Sequence, residues 1–107
     1  MSWIVDFYDL KTMKNIQKWP LGIKTKFTWI VELIKKYGPI EISMPYVKAM
    51  GNGLFEIRSK GKEGIGRAIF CILLGSRIKI LTGFIKKTEK TPRKIIMLSI
   101  KRMKEVK

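Results

Sequence analysis

The sequence predicts an α+β fold: an antiparallel sheet of about four strands with a mixed edge, two N-terminal helices and one C-terminal helix. Two observations support this. Three strand-like segments follow one another closely between residues 54 and 85, with short connections that suit hairpins. Helical apolar spacing flanks them, over residues 12–34 and again after residue 92. A chain of 107 residues is large enough for one core and too short for two, so we assign residues 1–107 to a single domain.

The N-terminal half contains one strand and two helical segments. Residues Trp3–Tyr8 alternate weakly between apolar and polar, as a strand does, and residues from about Thr12 to Trp19 form a short helical candidate before Pro20. The next helix is clearer, because its apolar residues follow the i, i+3, i+4, i+7 spacing: Phe27, Ile30, Val31 and Ile34. Gly38-Pro39 is expected to end it.

The C-terminal half contains the hairpins and the last helix. The three strands are Leu54–Arg58, Arg67–Leu74 and Arg77–Ile85, joined by KGKEG and by Gly75-Ser76. Thr91 is expected to cap a helix whose first position is Pro92.

The charge of the chain is high and uneven. It has 23 basic residues, 8 acidic ones, no histidine and a net charge of +15. Residues 51–107 hold 15 basic and 4 acidic side chains, a net +11, against +4 for residues 1–50. Such a field favours encounters with polyanions, most commonly nucleic acid. The alternative is that the charge serves solubility alone.

Several classes of site and location are disfavoured. Cys71 is the only cysteine, so no disulfide forms within the chain, and without histidine the usual zinc and iron sites are excluded. We therefore expect no metal and no cofactor. No segment resembles a signal peptide or a membrane span, which predicts a cytoplasmic protein with no membrane partner.

The hairpin connections predict which residues face one another. A two-residue turn at Gly75-Ser76 sets Leu74 opposite Arg77 and Arg67 opposite Phe84, and a loop symmetric about residues 62 and 63 sets Arg58 opposite Arg67. One face of the sheet would then hold Arg58, Arg67, Phe84 and Lys86. The core on the other face would hold Phe55, Ile57, Ala68, Phe70 and Leu81.

Two arginines directly opposite one another repel. A bound anion between Arg58 and Arg67 would relieve the repulsion, which predicts a phosphate site. The alternative is that each arginine extends into solvent or pairs with Glu56.

The candidate site suits RNA cleavage without histidine. Attack of a 2′-hydroxyl on its phosphate needs a base, donors for the negative oxygens and help for the leaving 5′-oxygen. The planar forks of Arg58 and Arg67 match phosphate. A lysine among other cations gives up its proton more readily, so Lys86 or Lys87 could be the base. Glu56 on the same face is the alternative, as base or as an orienting group.

These residues also carry a family resemblance. EIR at Glu56–Arg58, Gly66-Arg67 opening a strand, GFIKKTEKTP over residues 83–92 and the MPYV segment at Met44–Val47 resemble the HigB-like branch of the RelE/ParE toxin superfamily. The resemblance implies a small RelE-like fold and endoribonuclease activity that cleaves mRNA on the ribosome and so inhibits translation and growth. It also implies neutralisation by a helix-turn-helix, HigA-like antitoxin, in a complex that binds operator DNA.

When the site residues of the family are matched to this sequence by position, the resemblance implies that Arg58, Arg67 and Lys86 are the catalytic residues. The RNA-binding candidates are Lys60, Phe84, Lys87, Lys90 and Arg93. Several superfamily members have a tyrosine or histidine near the last strand, and this chain has neither after Tyr46. The general acid and base therefore stay unassigned.

Two other functions remain open at this point. A non-catalytic RNA- or ribosome-binding module would need only a basic sheet face and Phe84. A DNA gyrase inhibitor of the ParE type would not use a ribonuclease site, so the set Arg58, Arg67 and Lys86 argues against it.

Overall fold

A mixed five-stranded sheet separates two layers of helix. The computed structural model describes residues 2–86 and 90–107. The strands are β1 (Ile4–Phe7), β2 (Val47–Gly51), β3 (Leu54–Gly61), β4 (Gly64–Leu73) and β5 (Arg77–Lys86). The helices are α1 (Leu10–Gln17), α2 (Leu21–Tyr37) and α3 (Arg93–Val106). The strand order is β1-β5-β4-β3-β2, with β1 parallel to β5 and the other pairs antiparallel.

The predicted α+β class is confirmed, but the sheet has one more strand than the four expected. The missed strand is β2, an edge strand of five residues in which only Val47 is buried. A strand with so few buried side chains leaves little apolar alternation in the sequence. Pairing with β3 along one edge holds it in place.

Each face of the sheet packs against its own helices. Helices α1 and α2 cover one face, where the core includes Ile16, Trp19, Ile23, Phe27, Ile30, Ile34, Ile57, Ala68, Phe70, Ile78 and Ile80. Helix α3 covers the other face, where Leu54, Ile69, Cys71 and Leu81 pack with Ile95, Ile96, Ile100 and Met103. Close packing on the first face depends on Gly66, because a Cβ there would lie 2.6 Å from Trp19 Cζ3 and 2.6 Å from Ile23 Cγ2.

The turn between β4 and β5 differs from the prediction. Leu73, not Leu74, lies opposite Arg77, so the connection has three residues, and both Gly75 and Ser76 adopt positive φ. The predicted two-residue turn is therefore wrong by one position.

An irregularity further along the same pair of strands compensates for this shift. Ile69 pairs with Thr82 and Phe70 pairs with Ile80, which leaves Leu81 between the two registers. The extra residue restores the predicted pairing of residues 67 and 84. It also turns Leu81 into the core under α3, so its predicted place beside Phe70 is wrong.

The ends of the three helices agree only in part with the predictions. Helix α1 begins at Leu10, earlier than predicted, because Asp9 Oδ1 accepts hydrogen bonds from Thr12 N at 2.8 Å and Thr12 Oγ1 at 2.6 Å. Gly38 ends α2 as predicted, at φ 86°. The prediction for α3 is wrong: Pro92 is the cap residue and no side chain caps the helix.

Candidate functional site

Basic side chains occupy two adjacent cross-strand rows on the face of the sheet that carries α3. The lysine row consists of Lys60, Ile65 and Lys86, which lie opposite one another on β3, β4 and β5. The arginine row consists of Arg58, Arg67 and Phe84. Both predicted pairings are confirmed, so the residues predicted to share a face do share it.

Helix α3 starts beside these rows and runs away from them. Its last residues, such as Val106, reach Leu73, next to the β4–β5 turn, and Ser99 Oγ is hydrogen bonded to Thr82 Oγ1 at 2.8 Å. Near its start, a cavity of about 500 Å³ is lined by Lys86, Lys90, Thr91, Pro92, Arg93 and Ile96. Three of these side chains are cationic, which suits a polyanion.

A carboxylate of the chain itself lies between the two arginines. Glu56 Oε1 lies 2.9 Å from Arg67 Nη1 and 3.6 Å from Arg58 Nε. Glu56 is 1% exposed and Arg67 is 2% exposed. The alternative stated from the sequence, that the arginines pair with Glu56, is confirmed, and this side chain occupies the place that was predicted for a bound anion.

Thr91 holds the other oxygen of the same carboxylate. Thr91 Oγ1 donates a hydrogen bond to Glu56 Oε2 at 2.7 Å, which explains why its hydroxyl does not cap α3. Both oxygens of Glu56 are therefore engaged, one by Arg67 and one by Thr91. This geometry suits a group that orients its neighbours better than one that accepts a proton from RNA.

One cation next to this network was missed by the sequence analysis. Lys48 lies directly opposite Glu56 on β2, and it lines a cavity of about 290 Å³ together with Glu56, Arg67, Lys90 and Thr91. Its position follows from β2, which was not predicted. The only signal in the sequence was the alternation of Val47, Lys48 and Ala49.

The predicted RNA-binding residues that the structure describes lie in the rows or beside them. Lys60, Lys90 and Arg93 are exposed, and Arg93 is the first residue of α3. Phe84 is half-buried and packs against the core under α3, so only part of its ring is accessible. Lys87 lies outside the described residues.

Two features are absent from residues 2–86 and 90–107, which are the residues that the structure describes. No group of three or more carboxylate, cysteine or histidine side chains within that part of the chain could hold a metal ion. No helix within it is both long enough and apolar enough to cross a membrane.

Sequence comparison assigns this chain to a known family. Residues 14–104 match the family described as phage derived protein Gp49-like (DUF891). The chain belongs to this family. No functionally curated protein matches this Gp49-like chain by sequence.

Solved structures identify the fold of this Gp49-like protein. It is similar to the toxin RelE of E. coli, solved in the free state as a mutant with two arginines replaced by alanine: the TM-score is 0.66 at 12% identity, over 96% of this chain and 99% of RelE. It is also similar to a chain of the archaeal RelE–RelB complex from Pyrococcus horikoshii OT3, with a TM-score of 0.57 at 19% identity, over 84% of this chain and 100% of that one. The predicted RelE-like fold is confirmed.

Proposed function

We propose that this Gp49-like protein is the toxin of a type II toxin–antitoxin system, of the HigB-like branch of the RelE/ParE superfamily. It cleaves mRNA on the ribosome and so inhibits translation and growth. The observation that carries the proposal is the pair of adjacent lysine and arginine rows beside the start of α3, on a RelE fold. A gyrase inhibitor needs no such rows.

The proposed chemistry is attack of a 2′-hydroxyl on the adjacent phosphorus. The bond from phosphorus to the 5′-oxygen breaks, which leaves a 2′,3′-cyclic phosphate and a 5′-hydroxyl. Lys86 takes the proton of the attacking hydroxyl, the leaving 5′-oxygen takes a proton from water, and Arg58 stabilises the negative charge on the phosphate oxygens. Lys60, Lys90, Arg93 and, outside the described residues, Lys87 bind the RNA backbone on either side.

Arg67 and Glu56 act behind these groups. Arg67 is buried, so in this proposal it does not contact the phosphate directly. It contributes positive electrostatic potential to the site and holds Glu56 in place. Glu56 orients Arg58 and Arg67, because its Oε1 lies close to both guanidinium groups. Thr91 holds the other oxygen of Glu56. Phe84 offers the accessible part of its ring for contact with a base.

The proposed partner is a helix-turn-helix, HigA-like antitoxin that neutralises the toxin in the cytoplasm, in a complex that binds operator DNA. Support comes from the archaeal relative of similar fold, which was solved as a RelE–RelB complex. Co-expression of the adjacent open reading frame tests the proposal: restored growth and a co-purifying complex are expected. Continued arrest with no complex would contradict it.

Cleavage is tested by inducing the protein in cells and mapping the 5′ ends of transcripts. Lys86→Gln is the informative variant, because Arg67→Ala would leave Glu56 charged and buried without its closest charged partner. We expect new 5′ ends with the wild type and about a hundredfold fewer with Lys86→Gln. Lys104→Gln is the control, because Lys104 is exposed near the far end of α3. Growth arrest with unchanged transcripts would instead favour a non-catalytic ribosome-binding module or a gyrase inhibitor.

A further inference from the structure

A third pocket lies at the edge of the sheet next to Arg58. Its volume is about 470 Å³, and it is lined by Lys26, Pro45, Tyr46, Arg58, Lys60 and Ile65. Three of these six side chains are positively charged and none is negatively charged. Arg58 and Lys60 also belong to the two basic rows, so the pocket is continuous with the proposed cleavage site.

The backbone fixes an aromatic ring in this pocket. Arg58 N donates a hydrogen bond to Tyr46 O at 2.8 Å, which extends the β2–β3 pairing by one residue and holds Tyr46 beside Arg58. The Tyr46 ring meets the ring of Trp29 on α2 edge to face, with centroids 5.1 Å apart at 85°. Such packing limits the motion of the Tyr46 ring, which is half-buried and therefore still partly accessible.

Lys26, a residue of α2, lies close to both rings. Lys26 Nζ lies 4.9 Å from the centroid of the Trp29 ring and 5.6 Å from that of the Tyr46 ring. This cation–π contact holds the ammonium group at the wall of the pocket. The pocket thus combines one positioned ring with cations on two sides, from α2 and from β3.

We propose that this pocket binds one nucleotide of single-stranded RNA next to the scissile phosphate. The base stacks on Tyr46, and Lys26 and Lys60 bind the adjoining phosphate. A flat aromatic ring can stack on any base, and cations beside it bind the phosphate backbone. Proteins that bind single strands without sequence preference combine these two features. The volume falls within the usual range for small-ligand pockets. The position beside the scissile phosphate rests on the proposed function.

The test measures binding separately from cleavage. The probe is a short 2′-O-methyl oligoribonucleotide, which lacks the attacking hydroxyl and cannot be cut. Tyr46→Leu keeps apolar volume but removes the ring, and should weaken binding about tenfold. Tyr46→Phe should bind as the wild type does, because stacking needs the ring and not the hydroxyl. Lys26→Gln should reduce the slope of log affinity against log salt by about 0.7.

Matched controls come from the far end of the same helix. Lys36 Nζ lies 5.3 Å from the centroid of the Tyr37 ring, which is the same type of pair away from the pocket. Tyr37→Leu and Lys36→Gln should leave affinity and salt slope unchanged. Equal losses in both pairs would overturn the pocket assignment, because they would indicate a diffuse electrostatic effect.

The outcomes separate this inference from the proposed function. Weaker binding by folded Tyr46→Leu supports the pocket even if the wild type cuts no RNA, in which case only the ribonuclease proposal fails. Wild-type affinity in both Tyr46→Leu and Lys26→Gln overturns the pocket assignment even if the protein cleaves RNA. That result would indicate that the pocket binds a protein partner instead of RNA.

Discussion

Arg67 Nη1 and Glu56 Oε1 lie 2.9 Å apart, and both side chains are buried. The two residues are diagonal neighbours on β3 and β4, because Glu56 pairs with Ile69 and Arg67 pairs with Arg58. A buried ion pair adds little net stability over an apolar pair, but removal of one partner leaves an uncompensated charge. A substitution that removes the charge of either residue should therefore change both the electrostatics of the candidate site and the stability of the sheet.

Glu56→Gln should destabilise the fold strongly. The amide keeps the shape of the side chain but removes the buried carboxylate charge that lies between two arginines, and we expect a loss of about 3 kcal/mol in the free energy of unfolding. Urea denaturation measures it. Glu32→Gln is the control, because the Glu32–Lys35 pair is exposed and should contribute less than about 0.5 kcal/mol. Equal effects of the two changes would contradict the buried network.

Thr91→Val should remove the donor to Glu56 Oε2 without changing side-chain volume. We expect a loss of about 1 to 2 kcal/mol, since a buried carboxylate oxygen loses its hydrogen bond. Thr28→Val, at an exposed position of α2, should change stability by less than about 0.5 kcal/mol. A double-mutant cycle with Glu56→Gln should give a coupling energy clearly different from zero. Strict additivity would indicate that Thr91 acts elsewhere, for example as a cap of α3.

Gly66→Ala should lower the melting temperature. The new methyl group would lie 2.6 Å from both Trp19 and Ile23, and overpacking of this kind costs about 1 to 3 kcal/mol. Gly22→Ala is the matched substitution in α2, where the nearest atom, Glu63 Oε1, is 3.6 Å away. It should be neutral or stabilise by up to about 1 kcal/mol, because alanine favours a helix. Similar melting temperatures for both variants would contradict the close contact of the sheet with α1 and α2.

Asp9 should titrate at an unusually low pH. The hydroxyl and the backbone N–H of Thr12 donate to its carboxylate, and these bonds hold the pKa of Asp9 below its usual 3.8. Because the folded-state pKa is the lower one, the cap stabilises α1 fully above pH 3.8 and is lost as the pH falls through the folded pKa. NMR titration of the carboxyl carbon measures this. Thr12→Val should move the pKa back toward 3.8, and an unchanged value would refute the role of the hydroxyl.

The sequence predicted which strand residues share a face of the sheet more accurately than it predicted the length of the turn. Arg67 was correctly placed opposite Phe84, although the turn assumed at Gly75-Ser76 was one residue too short. The irregularity at Leu81 cancelled that error within the same hairpin. A bulge depends on how two strands pack against helices, and no periodicity in one strand alone reports it.

The candidate site was predicted only where alternation along a strand determines it. Arg58, Arg67 and Lys86 share a face because strand residues alternate. Lys48 and Tyr46 were missed because β2 is an edge strand with few buried residues, and Lys26 because it reaches the site from α2. The role of Thr91 was misjudged because the carboxylate it binds lies 35 residues away in the chain.

The proposed cleavage of RNA at this basic face, by attack of a 2′-hydroxyl, is tested most directly by its products. Purified protein is mixed with ribosomes translating a defined mRNA, and the ends of the fragments are analysed. We predict 2′,3′-cyclic phosphate ends and 5′-hydroxyl ends with the wild type, about a hundredfold slower formation with Lys86→Gln, and an unchanged rate with Lys104→Gln. Intact mRNA under conditions where the wild type blocks translation, or equal cleavage by wild type and Lys86→Gln, would contradict the account.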